Sequence, residues 1–461
     1  MRDSIWPLKR NYNHMKHLFL LIFLLTFVFA PCFAKQKPNI IILFADDMGY
    51  GDLGITGHPT IRTPNLDQMA MEGMRWSNFY SVSPACTASR YGLLTGRYPG
   101  RSGFGWVLNP DSPRGIHPKE LTLAEGLKSQ GYATAMFGKW HLGTTKPEFL
   151  PLQNGFDEYV GLPYSNDMIP PKWPDIALMS GNDTLELNPD QTKLTQLYTD
   201  RAIQFMEKNR DQPFFIYLPY AMPHVPLFPG KAYQGKSRRG LYGDVIEEID
   251  ASVGQILAYL KANGLAENTL VWFTSDNGPW IIKGDQAGSA GLFRDGKGST
   301  WEGGQREPSI AWWPGTIAAG SVEMNLGATK DIYATAMQLG GAKVPTDRIV
   351  DGVNLSGNLN PNFGAKANSE TFFYFGFDNT VFAVRQGKWK LHIRTNSQTG
   401  ESYFLDPLPL LFDLDTDPSE KYNLAAANPE MVKQLEELIQ KFNAEAAANP
   451  SFYDKDGSTP N

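Results

Sequence analysis

Cysteine is nearly missing from this chain: 461 residues contain two, Cys32 and Cys86. So few thiols exclude a scaffold stapled by disulfides. Cys32 lies within a start segment that reads as removable, which leaves Cys86 unpaired in the rest. No apolar run beyond that start is long enough to cross a bilayer as a helix, and this excludes a bundle of membrane-spanning helices. There is no excess of positive charge either. Lys and Arg number 42 against 48 Asp and Glu, a net of −6, so the total does not point to nucleic acid or a polyanionic surface. An anionic ligand would have to be drawn in by local cations. No internal repeat and no low-complexity linker divides the chain.

The start itself has a basic residue at Lys16, a short apolar run from Leu18 to Ala30, and a small residue at Ala34. The run is too short to span a membrane comfortably and fits a signal peptide covering 1–34, cleaved after Ala34. A lipid anchor on Cys32 is the rival reading, with Pro31 before it a poor match. Secretion or delivery to a periplasm is the expected destination.

Four apolar runs each end in polar residues of unusual kinds. Asn39–Ala45 leads to Asp46 and Asp47, and Tyr132–Phe137 to Lys139 and His141. Pro213–Pro219 leads to His224, and Thr269–Thr274 to Asp276 and Asn277. Helix-like stretches 122–130, 193–209 and 244–263 lie between them. Alternating strands and helices predict an α/β fold, a mostly parallel sheet sandwiched by helices. Ligands in such sheets gather beyond the carboxyl ends of the strands. Past about residue 344 the pattern changes. The runs 371–375, 380–385 and 388–393 predict a small antiparallel sheet, 429–447 a closing amphipathic helix, and 451–461 a loose tail. The expected division is a catalytic domain over 35–365 and a carboxyl-terminal subdomain over 366–461.

Asp46, Asp47, Asp276 and Asn277 are hard oxygen donors, suited to calcium or magnesium. Consecutive aspartates at a buried strand end are costly unless a cation neutralises them; a solvated or helix-capping strand end is the plain alternative. Pro84 before Cys86 and Tyr91-Gly-Leu-Leu94 after it place Cys86 near a helix amino terminus, with Arg90 one turn on along the same face. Taken alone, a small buried residue followed by a surface arginine reads equally well. Lys139, His141, His224 and Lys297, the last in a glycine-rich loop, do not identify themselves singly. Together these cations, imidazoles and metal ligands would suit a tetrahedral anion.

The stretch Cys86-Thr-Ala-Ser-Arg90-Tyr-Gly-Leu-Leu-Thr-Gly-Arg97 resembles the signature of the type I, formylglycine-dependent sulfatases of the alkaline-phosphatase superfamily. Asn39–Leu53, Gly138–Gly143, Asp276–Pro279, Gly296–Gly298 and Glu302–Pro308 resemble further blocks of that family, and Leu411–Leu424 its carboxyl-terminal element. The likeness extends over essentially the whole chain after residue 34 and looks like the arylsulfatase A and N-acetylgalactosamine-6-sulfatase branch.

The resemblance implies hydrolysis of sulfate esters, with a sulfated carbohydrate such as a glycosaminoglycan or algal galactan fragment as substrate. It implies that Cys86 is converted to formylglycine, and that Ca2+ is held by Asp46, Asp47, Asp276, Asn277 and residue 86. Arg90 would orient the hydrated aldehyde, Lys139, Lys297 and Ser165 would grip the sulfate, and His224 and His141 would serve the leaving oxygen and residue 86. His392 would approach from the small subdomain. Ala88 stands where the commonest signature has proline, and this resembles the substrates of radical S-adenosylmethionine maturases. The rivals are a phosphate or phosphonate monoester hydrolase of the same superfamily, and a non-catalytic lectin for sulfated glycans.

Overall fold

A computed structural model describes residues 3–4, 37–367, 370–400 and 407–456. The proposed signal segment lies outside them apart from Asp3 and Ser4. Among the described residues no helix is long and apolar enough to cross a membrane.

The centre is a ten-stranded sheet. In spatial order its strands are Ser321–Glu323, Met74–Trp76, Ser309–Trp312, Thr269–Ser275, Asn39–Ala45, Phe214–Pro219, Ala133–Phe137, Glu158–Gly161, Ala177–Ser180 and Asp183–Leu187. The five from Thr269–Ser275 to Glu158–Gly161 run parallel. Strands of a parallel sheet are covered on both faces, so they read as unbroken apolar runs. Asn39–Ala45, Phe214–Pro219 and Thr269–Ser275 are buried along their whole length. Successive side chains of the first of these alternate between two cores. Ile41 and Leu43 join the helices Leu194–Lys208 and Leu241–Ala262, while Ile40, Ile42 and Phe44 join Leu123–Lys128 and Thr329–Gly340. The expected α/β sandwich is present.

The small antiparallel sheet is present as well: Thr371–Phe375, Val381–Gln386 and Trp389–His392 pair in sequence. A fourth strand, Leu410–Asp413, completes it where only a family element was anticipated. The helix Pro429–Ala448 packs Leu435, Ile439 and Phe442 on this sheet together with Tyr80, Val82 and Tyr98. The predicted loose tail needs correction over its described part. Phe452–Lys455 is a short helix, and the buried Tyr453 donates its hydroxyl to the Gly115 carbonyl at 2.7 Å while its ring meets His117. A short polar stretch hides two aromatic anchors, and burying them fixes it.

Because five neighbouring strands are parallel, their carboxyl ends emerge on one side. Asp46–Asp47, Asp276–Asn277, His224, Lys139–His141 and Ser165 follow those ends in turn.

Away from that edge, Glu248 of the helix Leu241–Ala262 accepts the Gly230 N–H at 2.7 Å, and burial raises its pKa to about 7. An acid whose pKa is higher folded than unfolded costs nothing while protonated in both states, and its burial penalty grows as pH rises through 4.5 to 7. Glu248→Gln keeps an acceptor and removes the charge. Its Tm is expected to match that of the parent at pH 4.5 and exceed it at pH 8, by at most about 3 kcal/mol in stability; thermal scans at the two pH values measure the difference.

Candidate active site

Cys86 is the first residue of the helix Cys86–Thr95 and is 1% exposed. Its Sγ lies 3.5 Å from Asp46 Oδ1. Burial pushes the thiol pKa up, so it is not poised as a thiolate nucleophile. One turn on, the buried Arg90 guanidinium donates to Asp276 Oδ2 at 2.8 Å and to the Lys139 carbonyl at 2.9 Å, with Asp46 Oδ1 at 3.5 Å. The i, i+4 spacing thus carries Arg90 into the strand-end cluster.

Asp46, Asp47, Asp276 and Cys86 each offer one ligand atom, all within 4.8 Å of one another. Lys139 Nζ meets Asp46 Oδ2 at 2.5 Å and Ser165 Oγ at 3.3 Å, and Lys297 Nζ meets Asp47 Oδ2 at 2.8 Å. Asn277 Nδ2 donates to Asp47 Oδ1 at 2.7 Å. Burial alone would raise the Asp46 pKa, but Lys139 and then Arg90 hold it well below the usual carboxylate range. Asp276 goes the other way: burial and then the Asp46 charge push it up to about 7. The cause is geometric, since carboxylates crowded in a dry site cannot all ionise freely without further positive charge.

Two backbone positions aim these groups. Asp47 (φ 67°) and His141 (φ 60°) adopt left-handed conformations, which non-glycine residues take at a cost of about 1–3 kcal/mol. The turn at Asp47 sends its N–H to Asp276 Oδ1 at 3.1 Å. Gly138 precedes Lys139 at φ 138°, where a Cβ would sit 1.8 Å from the Pro219 carbonyl oxygen. Only glycine permits that close crossing of strand ends.

The two imidazoles differ in which nitrogen is free. His224 Nδ1 faces two carbonyl acceptors, Asn166 Oδ1 at 3.0 Å and Val225 O at 2.6 Å. A proton on Nδ1 satisfies them, which leaves Nε2 turned to Asp47 Oδ2 at 3.6 Å. His141 Nε2 faces the Leu108 carbonyl at 2.8 Å, and its Nδ1 is buried with no partner. Burial, with Lys139 and Arg90 close by, holds His141 well below its ordinary pKa; burial and Lys297 lower His224.

With these contacts the structure brings together every residue predicted for the site except His392. That ring bonds Glu420 at 2.8 Å and packs against Trp301 and Phe412, none of them a predicted site residue. The small subdomain instead reaches the site loop through Asn396, Ser397 and Gln398. Asn396 donates to the Gly298 carbonyl, Ser397 to Asp295, and Gln398 to the Lys297 carbonyl and, at 3.2 Å, to the Pro279 carbonyl. Asn166 and Gln398 carried no local motif that could single them out. Trp280, whose ring centroid is 5.5 Å from that of His224, does follow the Asp276-Asn-Gly-Pro block directly.

Comparison with known proteins agrees with this arrangement. The family model described as Sulfatase matches residues 38–342, and that described as C-terminal region of aryl-sulfatase matches 367–460. The chain belongs to the sulfatase family. It is 39% identical to N-acetylgalactosamine-6-sulfatase of Mus musculus, over 88% of this chain and 86% of that protein. Against arylsulfatase A of Homo sapiens the identity is 40%, with 90% of each covered. Among solved structures, the PsFucS1 sulfatase from Pseudoalteromonas sp. superposes with a TM-score of 0.81 at 28% identity, covering 96% of both chains. The protein is therefore an enzyme, a sulfuric ester hydrolase with an alkaline-phosphatase-like fold.

Removing one partner from a buried ion pair strands the others, at about 3–5 kcal/mol. Arg90→Ala is expected to lose stability of that order in urea unfolding, and Arg90→Lys to recover only part, because a single ammonium nitrogen cannot reproduce the planar fork whose two nitrogens reach Asp276 and the Lys139 carbonyl separately.

Proposed function

We propose that this sulfatase removes sulfate from a carbohydrate, a glycosaminoglycan or algal galactan fragment, at a residue 86 converted from cysteine to formylglycine. The observation that carries the reading is the ring of carboxylates, lysines and imidazoles around a cysteine buried in its thiol form. The names of the similar proteins support a sugar substrate: one is titled for N-acetylgalactosamine 6-sulfate, and another relative of known structure belongs to glycosaminoglycan metabolism.

The donor set fits a calcium ion. Asp46, Asp47 and Asp276 supply hard oxygens, and Asn277 Oδ1 is buried with no partner, an acceptor left over for a cation. Sulfur at position 86 is the soft member, and its conversion would replace it with oxygen. The ion, when bound, would offset the negative charge of the ester. An aldehyde hydrate supplies two hydroxyls on one carbon, one to attack sulfur and one to release sulfate afterwards.

Around that chemistry the chain's own groups have distinct work. Lys139, Lys297 and Ser165 bind the sulfate oxygens, and Arg90 holds the helix turn that carries residue 86. His224, its Nδ1–H held by Asn166, presents Nε2 to the leaving oxygen, and it acts as general acid there in the doubly protonated imidazolium form. His141, its Nε2 fixed by Leu108, has Nδ1 free to take a proton. Export to the periplasm or medium, and maturation by a radical S-adenosylmethionine enzyme, complete the reading, as does the division into a catalytic domain over 35–365 and a subdomain over 366–461.

Cys86→Ser lacks the second hydroxyl, so it is expected to stall as its sulfate ester, detectable by intact mass, with no multiple turnover. Full turnover by this variant would rule the mechanism out. Calcium added after chelation is expected to raise the Tm of the parent and to do so far less in Asp47→Ala, as scanning calorimetry would show.

A further inference from the structure

A cavity of about 310 Å³ opens beside the cluster, lined by Asp167, Val225, Pro226, Trp280, Lys283 and Gln286. Every lining segment continues directly from a site residue. Asp167 lies two positions after Ser165, Val225 and Pro226 follow His224, and Trp280 follows the Asp276–Pro279 block. The Trp280 ring in its wall lies 5.5 Å from the His224 ring, so the cavity adjoins the site. Its volume is within the range of small-ligand pockets.

Its chemistry is specific. The Trp280 ring carries two ammoniums, Lys297 Nζ at 4.5 Å from the centroid and Lys283 Nζ at 4.0 Å. Lys297 is buried and paired with Asp47, whereas Lys283 is exposed and makes no ion pair among the described residues. Across the cavity, Asp167 Oδ1 is a buried acceptor with no partner. The turn that bears Trp280 and Lys283 is fixed from the small subdomain, since Gln398 accepts the Ile282 N–H at 3.1 Å while donating to the Pro279 carbonyl. An indole that tethers an unpaired cation, next to an unsatisfied acceptor and on a braced turn, is prepared for a polar ligand bearing its own negative charge.

We propose that this cavity seats the saccharide beyond the scissile sulfate and that Lys283 reads a second acidic group on it, a carboxylate or another sulfate. The assignment rests on the carbohydrate reading above. Asp167 accepts from a sugar hydroxyl, and Lys283 pairs with the additional anion at the exposed rim. An ion pair in that setting is worth up to about 1 kcal/mol, a three- to fivefold effect.

The test uses the matured full chain and Lys283→Ala, with kcat/KM measured on four sulfate esters. These are a small aryl sulfate, a sulfated disaccharide with a neutral neighbouring sugar, the same disaccharide with a uronate neighbour, and one with a second sulfate. Lys283→Ala is expected to lose three- to fivefold on one or both acidic disaccharides, mainly through KM, and less than twofold on the other two. Lys283→Glu is expected to lose tenfold or more on the same substrates. The arm that responds tells carboxylate from sulfate. An equal loss on all four, or none on either acidic substrate, overturns the assignment while parental turnover of the aryl ester leaves the sulfatase reading intact. If the parent turns over the aryl ester but no saccharide, the carbohydrate reading fails. Calorimetric binding of the four compounds to parent and Lys283→Ala then decides Lys283 separately, equal affinities overturning it.

Discussion

Three carboxylates crowd one dry end of a parallel sheet, and much else in this fold answers the repulsion between them. Arg90, Lys139 and Lys297 are drawn from three separate segments to face Asp276, Asp46 and Asp47. Each cation is itself buried, so neither sign could stay charged without the other. Their mutual pairing fixes the relative positions of the Cys86 helix, the Lys139 turn and the Lys297 loop. A bound divalent ion would supply the further positive charge that Asp276, pushed up by burial and by Asp46, needs in order to ionise. The left-handed turns at Asp47 and His141 are part of the cost of holding it.

The parallel core and its strand-end residues were legible because they rest on local signals. The apolar runs before Asp46, Lys139 and Asp276 are continuous, as strands buried on both faces must be. The observed strands start or end within a residue or so of those runs. Residues that act through distant contacts were not legible. Asn166, which orients His224, sits in no recognisable pattern, and Gln398 reaches the Lys297 loop from across more than a hundred residues of chain. His392 had the residue type and the subdomain expected of a site group, yet its Nε2 is held by Glu420. The fourth strand at Leu410–Asp413 and the helix at Phe452–Lys455 are held by tertiary packing that no short window encodes.

The small sheet is tied to the short helix Glu302–Gln305 and the strand Phe79–Tyr80 by a buried polar network rather than by apolar packing alone. Glu302 accepts from Tyr80 at 2.6 Å, Tyr374 at 2.7 Å and Lys390 at 3.0 Å, and Lys390 also meets Glu420. Glu302 itself lies only a few residues along the chain from Lys297. The carboxyl-terminal part is thus structurally continuous with the catalytic loop, although it contributes none of the clustered side chains.

The depth of Cys86 has a consequence in time. A side chain 1% exposed, under a helix pinned by Arg90, offers no foothold to another macromolecule once the sheet has closed. Any enzyme that alters it must catch the polypeptide while still open. Under the proposed conversion of residue 86, a copy that collapses first keeps its sulfur, and the yield of competent protein is set by a race between two clocks, processing and folding.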